Sequence, residues 1–396
     1  MKRFLRVVLV CLCVTATLLA ADTAWKWSGS FGNKTVSMLI VGDIQVHTRR
    51  ADPTTALVHM RETLNKADLV YANLEGLLVT SKGVKNDIPD KPEWTHPGPQ
   101  GVTALKPNNV KVVGVANNVA YGRDSILASL KVLDANGILH TGAGKNIDEA
   151  HKPAIVERKG VKIGFLQYTA RWYLDEHQIA TSTAAGVAKI SSRDGITVDA
   201  ADLDRVRDDI KRLRSQVDII VVSHHNRDGA TAVQFGRQPA PAAPAAAAAP
   251  RGTGTRRDGT KSEEYQKQFA HIALDAGADL VFGHGTHTVQ GVEIYKNKPI
   301  LYAMGHSNFD QPGYENAKEG LVARVIIQGK NILRVSFVPV TRDANNDVLM
   351  LDPASEEGAR VISLVKGSTS PDLPLKIEGQ EVVLLDKTAK QTSAKK

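Results

Sequence analysis

The stretch ADLVFGHGTHTVQGVE (Ala278–Glu293) combines the pattern of a buried strand with two histidines directly beyond it. The apolar run ADLVF fits a buried strand that stops at Gly283. His284 and His287 then follow, three residues apart, on the predicted turn. In open α/β sheets, ligands gather at the carboxyl ends of strands, where loops carry side chains on a rigid edge. The two histidines are therefore candidate ligands at a strand end.

Apolar runs of the same kind recur up to about residue 225 and alternate with amphipathic helical patterns. The runs are VSMLIVGD, ADLVYANLE, VKVVGVANN, VKIGFLQYT and VDIIVVSHH. Leucine, isoleucine and valine spaced three or four residues apart predict helices over about 124–136 and 200–215, with Asp124 as the N-cap of the first. Strands that alternate with such helices are typical of an α/β domain with a largely parallel sheet.

The second half of the chain favours a different arrangement of strands. VQGVEIY, PILYAMG, GLVARVII and ILRVSFVPV are short apolar runs at hairpin spacing. Such spacing predicts antiparallel strands. Together the two halves predict an α/β fold in which two mixed sheets pack face to face, with helices outside.

The N-terminus has the composition of a targeting segment. Residues 1–21 place three basic side chains ahead of an apolar stretch that ends in small residues, which is the layout of a secretory signal peptide cleaved near Ala21. A retained N-terminal membrane anchor is the alternative, because the apolar run is long enough for a thin bilayer. Both interpretations predict an extracytoplasmic protein, either secreted or periplasmic.

The rest of the chain is expected to form one domain and an extension. We expect the domain over residues 36–345 and a C-terminal extension over 346–396 that frays at its basic end. Residues 237–260 are rich in proline and alanine, and then in glycine and arginine. Because such a composition cannot bury an apolar face, this segment is predicted to be a disordered loop inserted in the domain.

Charge and cysteine content narrow the classes of function. The chain has 50 Lys and Arg residues against 42 Asp and Glu residues, a formal net charge of +8. This excess suits an anionic polymer or a membrane surface, and a solvated basic surface is the alternative. The sequence has no long basic run or zinc-finger spacing, so no nucleic-acid partner is expected. Both cysteines lie within residues 1–21, so cleavage would leave no thiol for catalysis.

Five predicted strand ends carry side chains of metal-binding types. They supply carboxylates, amides and imidazoles, namely Asp43, Asn73, Glu75, Asn117, Asn118, His224, His225, His284 and His287. This mixture of oxygen and nitrogen donors suits Zn, Mn or Fe, whereas calcium takes oxygen ligands. A site for one or two divalent ions is therefore predicted at this edge of the sheets.

These motifs, in this order, resemble the capsule-synthesis (CapA) or poly-γ-glutamate-synthesis family, whose domain is related to the calcineurin-like metallophosphoesterases. The resemblance runs from about Val36 to Pro339 through VGDI, ADLVYANLEG, VVGVANN and DIIVVSHH. Its most specific part is ADLVFGHGTHTVQGVEIYKNKPILYAMGHSNFDQ. It implies a four-layer α-β-β-α sandwich of two mixed sheets.

The resemblance also implies which residues form the site. The implied metal ligands are Asp43, Glu75, Asn118, His225, His284 and His287. His224 alternates to the other face of its strand, so packing or support of the ligands is the role expected for it.

Several positions depart from the family pattern. Val119 stands where the family usually has a histidine that is the candidate general acid, and Gln45 stands where phosphoesterases carry a histidine. Gly285 replaces another histidine, whereas His306 is an additional one. Loss of a proton donor costs about 10²- to 10⁴-fold in rate. Either His306, His47 or the substrate therefore supplies the proton, or the protein is not a hydrolase; the catalytic candidates are Asn118, His225 and His306.

Two functions remain open at this point. The first is a metal-dependent enzyme of altered chemistry in capsule or poly-γ-glutamate biosynthesis, acting on an anionic polymer or a capsule precursor. Arg123, Arg227 and Asn73 are then expected to bind substrate, the arginines through paired hydrogen bonds to carboxylate or phosphate. The second is a non-catalytic component that binds or exports the polymer. Membrane proteins of capsule synthesis are candidate partners for both.

Overall fold

The structure is a computed structural model that describes residues 24–46, 52–79, 98–170, 178–191, 197–226, 264–310 and 318–388. The predictions made for the signal segment, for His47, for Arg227 and for residues 237–260 lie outside the described residues. Within the described ranges, no helix has the length and apolar character needed to cross a membrane.

Strands and helices alternate through the first half of the chain. The strands are β1 (Val36–Gln45), β2 (Leu69–Leu74), β3 (Val110–Gly114), β4 (Leu139–Thr141), β5 (Ala143–Gly144), β6 (Ala154–Arg158), β7 (Val161–Thr169), β8 (Gly186–Val187), β9 (Ile219–His225), β10 (Leu280–His284), β11 (Val292–Tyr295), β12 (Lys298–Leu301), β13 (His306–Phe309), β14 (Gly320–Gln328), β15 (Asn331–Arg342), β16 (Val348–Met350), β17 (Lys376–Glu378) and β18 (Glu381–Asp386). The α-helices are α1 (Arg61–Asn65), α2 (Arg123–Ala135), α3 (Ile147–Ala150), α4 (Ala200–Arg214), α5 (Glu264–Ala276) and α6 (Glu356–Gly367). Short 3-10 helices cover Pro53–Thr55, Val58–Met60, Pro99–Ala104 and Lys106–Asn108.

The larger sheet has the strand order β17-β18-β15-β14-β1-β2-β3-β4, with β13 beside β1 and β16 beside β15. Strands β1 to β4 are parallel, and β13 also runs parallel to β1. Strands β14, β15 and β18 continue the sheet in antiparallel fashion. The carboxyl ends of β1, β2, β3 and β13 therefore meet at one edge.

The smaller sheet has the strand order β11-β12-β10-β9-β7-β6. Its four inner strands are parallel, whereas β6 and β11 pair in antiparallel fashion at the two edges. The short strands β5 and β8 form a separate antiparallel pair. The larger sheet and the smaller sheet therefore both contain parallel and antiparallel strands.

Apolar side chains of both sheets share one core. Tyr71 of β2 stacks on Phe165 of β7 with ring centroids 5.2 Å apart, and it meets Phe282 of β10 edge-on at 5.1 Å. The outer faces are covered separately. Ile126 and Leu133 of α2 pack on the larger sheet, and α4 and α5 pack on the smaller one.

The prediction of an α/β fold with mixed sheets is confirmed, and the two predicted helices correspond to α2 and α4. The prediction that Asp124 is the N-cap of α2 is wrong. Gly122, with φ +79°, occupies the N-cap of α2, and no side chain caps that end. Asp124 instead lies in the first turn, where its carboxylate faces the positive end of the helix dipole.

The segment that follows residue 345 is built into the larger sheet. β16 and β18 both pair with β15, and β17 pairs with β18. Val361, Ile362 and Val365 of α6 belong to the apolar cluster that the two sheets share. The described part of the expected C-terminal extension therefore contributes directly to the core.

Candidate metal centre

Parallel pairing brings the polar strand ends together. Asp43 of β1 lies in register with Asn73 of β2 on one side and with His306 of β13 on the other. The register shifts at Asp43 in both ladders, as at a β-bulge, and bulges commonly re-aim side chains next to functional sites. In the smaller sheet, His225 of β9 pairs with His284 of β10.

Alternation along β9 separates two adjacent histidines. His225 lies in the centre between the sheets, whereas His224 faces α5, where its ring lies 4.6 Å from that of Phe269. Burial lowers the pKa of His224 to about 3. His224 is therefore a neutral packing residue, on the opposite face of the strand from the site.

Two groups of side chains could each hold a metal ion. One consists of Asp43, His225 and His284, and the other of Asp43, His287 and His306. In each group the candidate ligand atoms lie within 4.8 Å of one another, and every member is buried. His225 Nδ1 lies 3.2 Å from His284 Nδ1, and His287 Nδ1 lies 2.7 Å from His306 Nε2. Asp43 is common to both groups.

The turn after β10 contains two residues in the left-handed backbone conformation. His287 adopts φ +62°, in the left-handed region that is uncommon for a residue other than glycine. Gly285 has φ +86°, and a Cβ atom there would lie 2.7 Å from the ring of His225. Glycine is therefore needed at 285, where the family pattern carries a histidine.

Hydrogen bonds hold the Asp43 carboxylate in a defined orientation. The Asn73 side-chain amide donates to Asp43 Oδ1 at 2.8 Å, and the Gly285 backbone amide donates to Oδ2 at 3.2 Å. Asn73 was expected to bind substrate, and that role stays a prediction. Its carboxamide is fully buried and bonded to Asp43 and Gln167.

The imidazole of His284 is neutral, as metal binding requires. Burial, together with the nearby His224, holds the pKa of His284 well below its usual range. A neutral imidazole is the form that donates a lone pair to a metal. Carboxylate oxygen with imidazole nitrogen is also a donor set that Zn, Mn and Fe accept. The residues present therefore fit a divalent ion.

The other predicted residues lie at varying distances from these groups. Asn118 Oδ1 lies 2.8 Å from His225 Nε2, so Asn118 borders the first group. Glu75 is buried just beyond β2, but neither of the two groups found among the described residues includes it. The Arg123 guanidinium donates to the Ala185 carbonyl oxygen. Val119 is fully buried, with its backbone amide donating to Asn117 Oδ1 at 3.2 Å.

His306 is one of the candidate proton donors, beside His47 and the substrate, and the structure brings its ring into the second group. Its ring stacks on Phe309 with centroids 3.9 Å apart and planes 4° from parallel. The stacking restrains the plane of the ring, and Nε2 lies 2.7 Å from His287 Nδ1. The role of His306 as an acid stays a prediction, and its position also suits a metal ligand.

Sequence reasoning missed Gln167 of β7. Its side chain bonds three residues near the centre, namely Ala116, Asn73 and His284. The available signal was a single amide inside the apolar strand VKIGFLQYT, two residues before its end. A buried polar side chain at such a position needs partners, which here lie at the candidate metal centre.

Comparison with known proteins identifies the family of this chain. The sequence matches the family "Bacterial capsule synthesis protein PGA_cap" over residues 37–249 and 255–311. It is 22% identical over 316 residues to the capsule biosynthesis protein CapA of Bacillus anthracis, covering 78% of this chain and 68% of that protein. It is also 22% identical over 334 residues to the PGA biosynthesis protein CapA of Bacillus subtilis strain 168, covering 80% and 76%. The family match spans most of the chain, so this protein belongs to the bacterial capsule synthesis protein PGA_cap family.

Proposed function

We propose that this protein is a divalent-metal-dependent enzyme of capsule or poly-γ-glutamate biosynthesis. Membership of the PGA_cap family and likeness to two CapA proteins support the biosynthetic role. The two mixed sheets with a shared core and helices outside support a four-layer α-β-β-α sandwich of the calcineurin-like type.

One observation carries the proposal. Four histidines and an aspartate from distant parts of the sequence converge in two buried groups that share Asp43. Isolated histidines on strands are common as packing residues, as His224 is here. Here the imidazoles are gathered around one carboxylate, with the candidate ligand atoms of each group within 4.8 Å of one another, and both are donor types that a zinc ion binds.

Asp43 and the four histidines would be the ligands of the bound metal. Asp43, His225 and His284 would hold one ion, and Asp43 with His287 and His306 is the group that would hold a second; the metal would be Zn, Mn or Fe. When bound, such ions polarise a phosphoryl or carbonyl oxygen and lower the pKa of a coordinated water. Asn73 and the Gly285 amide would keep Asp43 oriented, and the left-handed turn at His287 would aim its ring at the centre.

The substrate proposed is an anionic polymer, such as poly-γ-glutamate or a capsule precursor. The names of the relatives and the formal charge of +8 support an anionic ligand. The signal-like composition of residues 1–21 supports work outside the cytoplasm, next to membrane proteins of capsule synthesis.

A second candidate function is favoured by Val119. This side chain is apolar and fully buried at the position where the family pattern carries the candidate proton donor. If His306 binds metal, it is not available as the replacement acid. A component that binds or exports the polymer without turnover would need no proton donor.

Metal content tests the proposed function. Purified protein is expected to contain stoichiometric Zn, Mn or Fe by elemental analysis, and His225→Ala and His287→Ala are each expected to lose at least one equivalent. His224→Ala is the matched control, because it truncates the neighbouring histidine on the opposite face of β9. Metal content that is unchanged in His225→Ala and His287→Ala would contradict the proposal. Turnover of phosphoester or γ-glutamyl substrates by metal-loaded protein separates the enzyme from the binding component.

A further inference from the structure

A chain of hydrogen bonds connects a backbone amide to the first metal-binding group. The Ala116 amide lies 2.7 Å from Gln167 Oε1, and Gln167 Nε2 lies 2.9 Å from Asn73 Oδ1 and 3.1 Å from His284 Nε2. On the far side of the His284 ring, Nδ1 lies 3.2 Å from His225 Nδ1. His225 Nε2 then lies 2.8 Å from Asn118 Oδ1.

The Ala116 amide determines which atom donates and which accepts in every hydrogen bond of this series. A backbone N–H can only donate, so the atom of Gln167 that faces Ala116 must be the oxygen. The Gln167 amide nitrogen therefore faces His284 Nε2 and donates to it. A neutral imidazole that accepts at one nitrogen carries its proton on the other, so His284 is protonated at Nδ1.

Asn73 gives the same result independently. Its amide nitrogen must face Asp43, because two oxygens at 2.8 Å would repel. Its oxygen is then the atom that faces Gln167, which again requires the nitrogen of Gln167 at that position. The two arguments begin at different residues and agree.

Two glycines leave the space that the Gln167 carboxamide occupies. A Cβ atom at Gly114 would lie 2.3 Å from Gln167 Oε1 and 2.2 Å from the hydroxyl oxygen of Tyr71. A Cβ atom at Gly142, where φ is +99°, would lie 3.1 Å from Gln167 Oε1. The side chain thus occupies a close-fitting cavity made by residues that lack a side chain.

The tautomer matters because the Nδ1 atoms of His225 and His284 face each other beside Asp43. A metal ion between them would need lone pairs on both Nδ1 atoms. His284 would then carry its proton on Nε2, where it would point at the donating amide of Gln167. Two donors would oppose each other in a buried site, which is costly.

We infer that Gln167 is a positioning residue that fixes the Nδ1–H tautomer of His284 and thereby weakens metal binding at the group of Asp43, His225 and His284. This inference rests on the proposed metal function for its consequence, but the tautomer itself exists without metal. A methionine at position 167 would remove the preference, since it has no N–H to donate to His284 Nε2 and places no oxygen against Asn73 Oδ1. Partners that hydrogen-bond the ring of a metal-binding histidine set its orientation and tautomer in many proteins.

The tautomer is measured on the metal-free, full-length wild-type protein by two-bond ¹⁵N–¹H correlation of ¹⁵N-histidine-labelled protein at pH 8. The His284 signals are assigned by their loss in His284→Asn. We expect a pyrrole-type Nδ1 and a pyridine-type Nε2. The opposite pattern would overturn the inference, and this measurement needs no variant of Gln167 to fold.

Zn²⁺ affinity measures the consequence by competition with a chromophoric chelator. In a His306→Ala background, which disables the second group, Gln167→Met is expected to tighten Zn²⁺ binding by about 10-fold. In a His225→Ala background, where only the second group remains, the same Gln167→Met change is expected to have less than a threefold effect. Equal affinities of the Gln167 and Gln167→Met proteins in the first background would overturn the inference. Wild-type protein that shows the Nδ1–H tautomer but binds no Zn²⁺ would support the positioning by Gln167 and contradict the proposed function instead.

Discussion

At the scale of the residue, adjacent histidines acquire opposite roles from the geometry of the strand. His225 points into the polar centre, whereas His224 is packed against Phe269 and Tyr265 of α5. The period of two along β9 accounts for the difference, because successive side chains face opposite sides of a sheet. The environment of each face then sets the chemistry of the ring.

The buried ring of His224 predicts a pH dependence of stability. Its pKa is about 3 in the folded protein and about 6.5 in an unfolded chain. The unfolded state therefore binds the extra proton between these values, and the free energy of unfolding falls as pH falls from about 6.5 toward 3. The contribution of His224 is about 1.4 kcal/mol per pH unit in this window.

Chemical denaturation at several pH values measures this contribution. His224→Phe, which keeps an aromatic ring against α5, is expected to reduce the slope of unfolding free energy against pH below 6.5. The comparison variant is His59→Phe, which removes an exposed histidine and leaves the packing against α5 intact. Identical slopes for wild type and His224→Phe would show that His224 titrates normally.

At the scale of the element, β15 joins the centre of the larger sheet to its C-terminal edge. Arg334 of β15 is almost fully buried and pairs with Glu378 of β17 at 2.9 Å, and with Glu381 and Asp386 of β18 at 3.0 Å and 2.6 Å. Three carboxylates around one guanidinium satisfy its charge in a place where water is largely excluded. The ion pairs thus fix the edge strands to β15 in one register.

Removal of this guanidinium is predicted to destabilise the protein. Arg334→Ala would leave a buried carboxylate of Glu381 without its main cation, and breaking a buried pair in this way costs about 3–5 kcal/mol. Arg360→Ala is the control, because Arg360 is half exposed and pairs with Glu319 at the surface; surface pairs contribute about 0–1 kcal/mol. Guanidinium or urea denaturation measures both variants, and similar losses in the two would refute a special role for Arg334.

At the scale of the whole molecule, the C-terminal segment completes the domain. β18 pairs with β15 over Arg334 to Phe337, and α6 contributes three side chains to the core between the sheets. A domain boundary at residue 345 would therefore divide this core.

Truncation tests the unity of the domain. A chain that ends at Asn345 is expected to aggregate or to lose cooperative unfolding, because the edge of β15 and the inter-sheet core would be exposed to water. A chain that ends at Thr388 retains every described strand and should unfold as the full-length protein does. Circular dichroism during thermal unfolding compares the two, and a cooperative transition in the shorter chain would establish an independent domain over 36–345.

Much of the centre was predictable because strand ends are local features of a sequence. The apolar runs before Asp43, His225 and His284 predicted where each strand stops, and parallel strands must end at a common edge. His306 was found as an unusual residue in a family pattern. Its place in the second group depended on β13 pairing with β1, which joins segments more than 250 residues apart and leaves no local signal.

The sequence by itself determined the α/β class, the two main helices and the set of strand-end donors, because these follow from hydrophobic periodicity and local chemistry. Only the tertiary structure decided that Asp43 is common to both candidate metal groups and that Gln167 contacts His284. It also decided that α6 and β18 belong to the core. The physical reason is that hydrogen-bond direction and ligand distance depend on how two sheets pack, and packing joins residues whose separation along the chain carries no pattern.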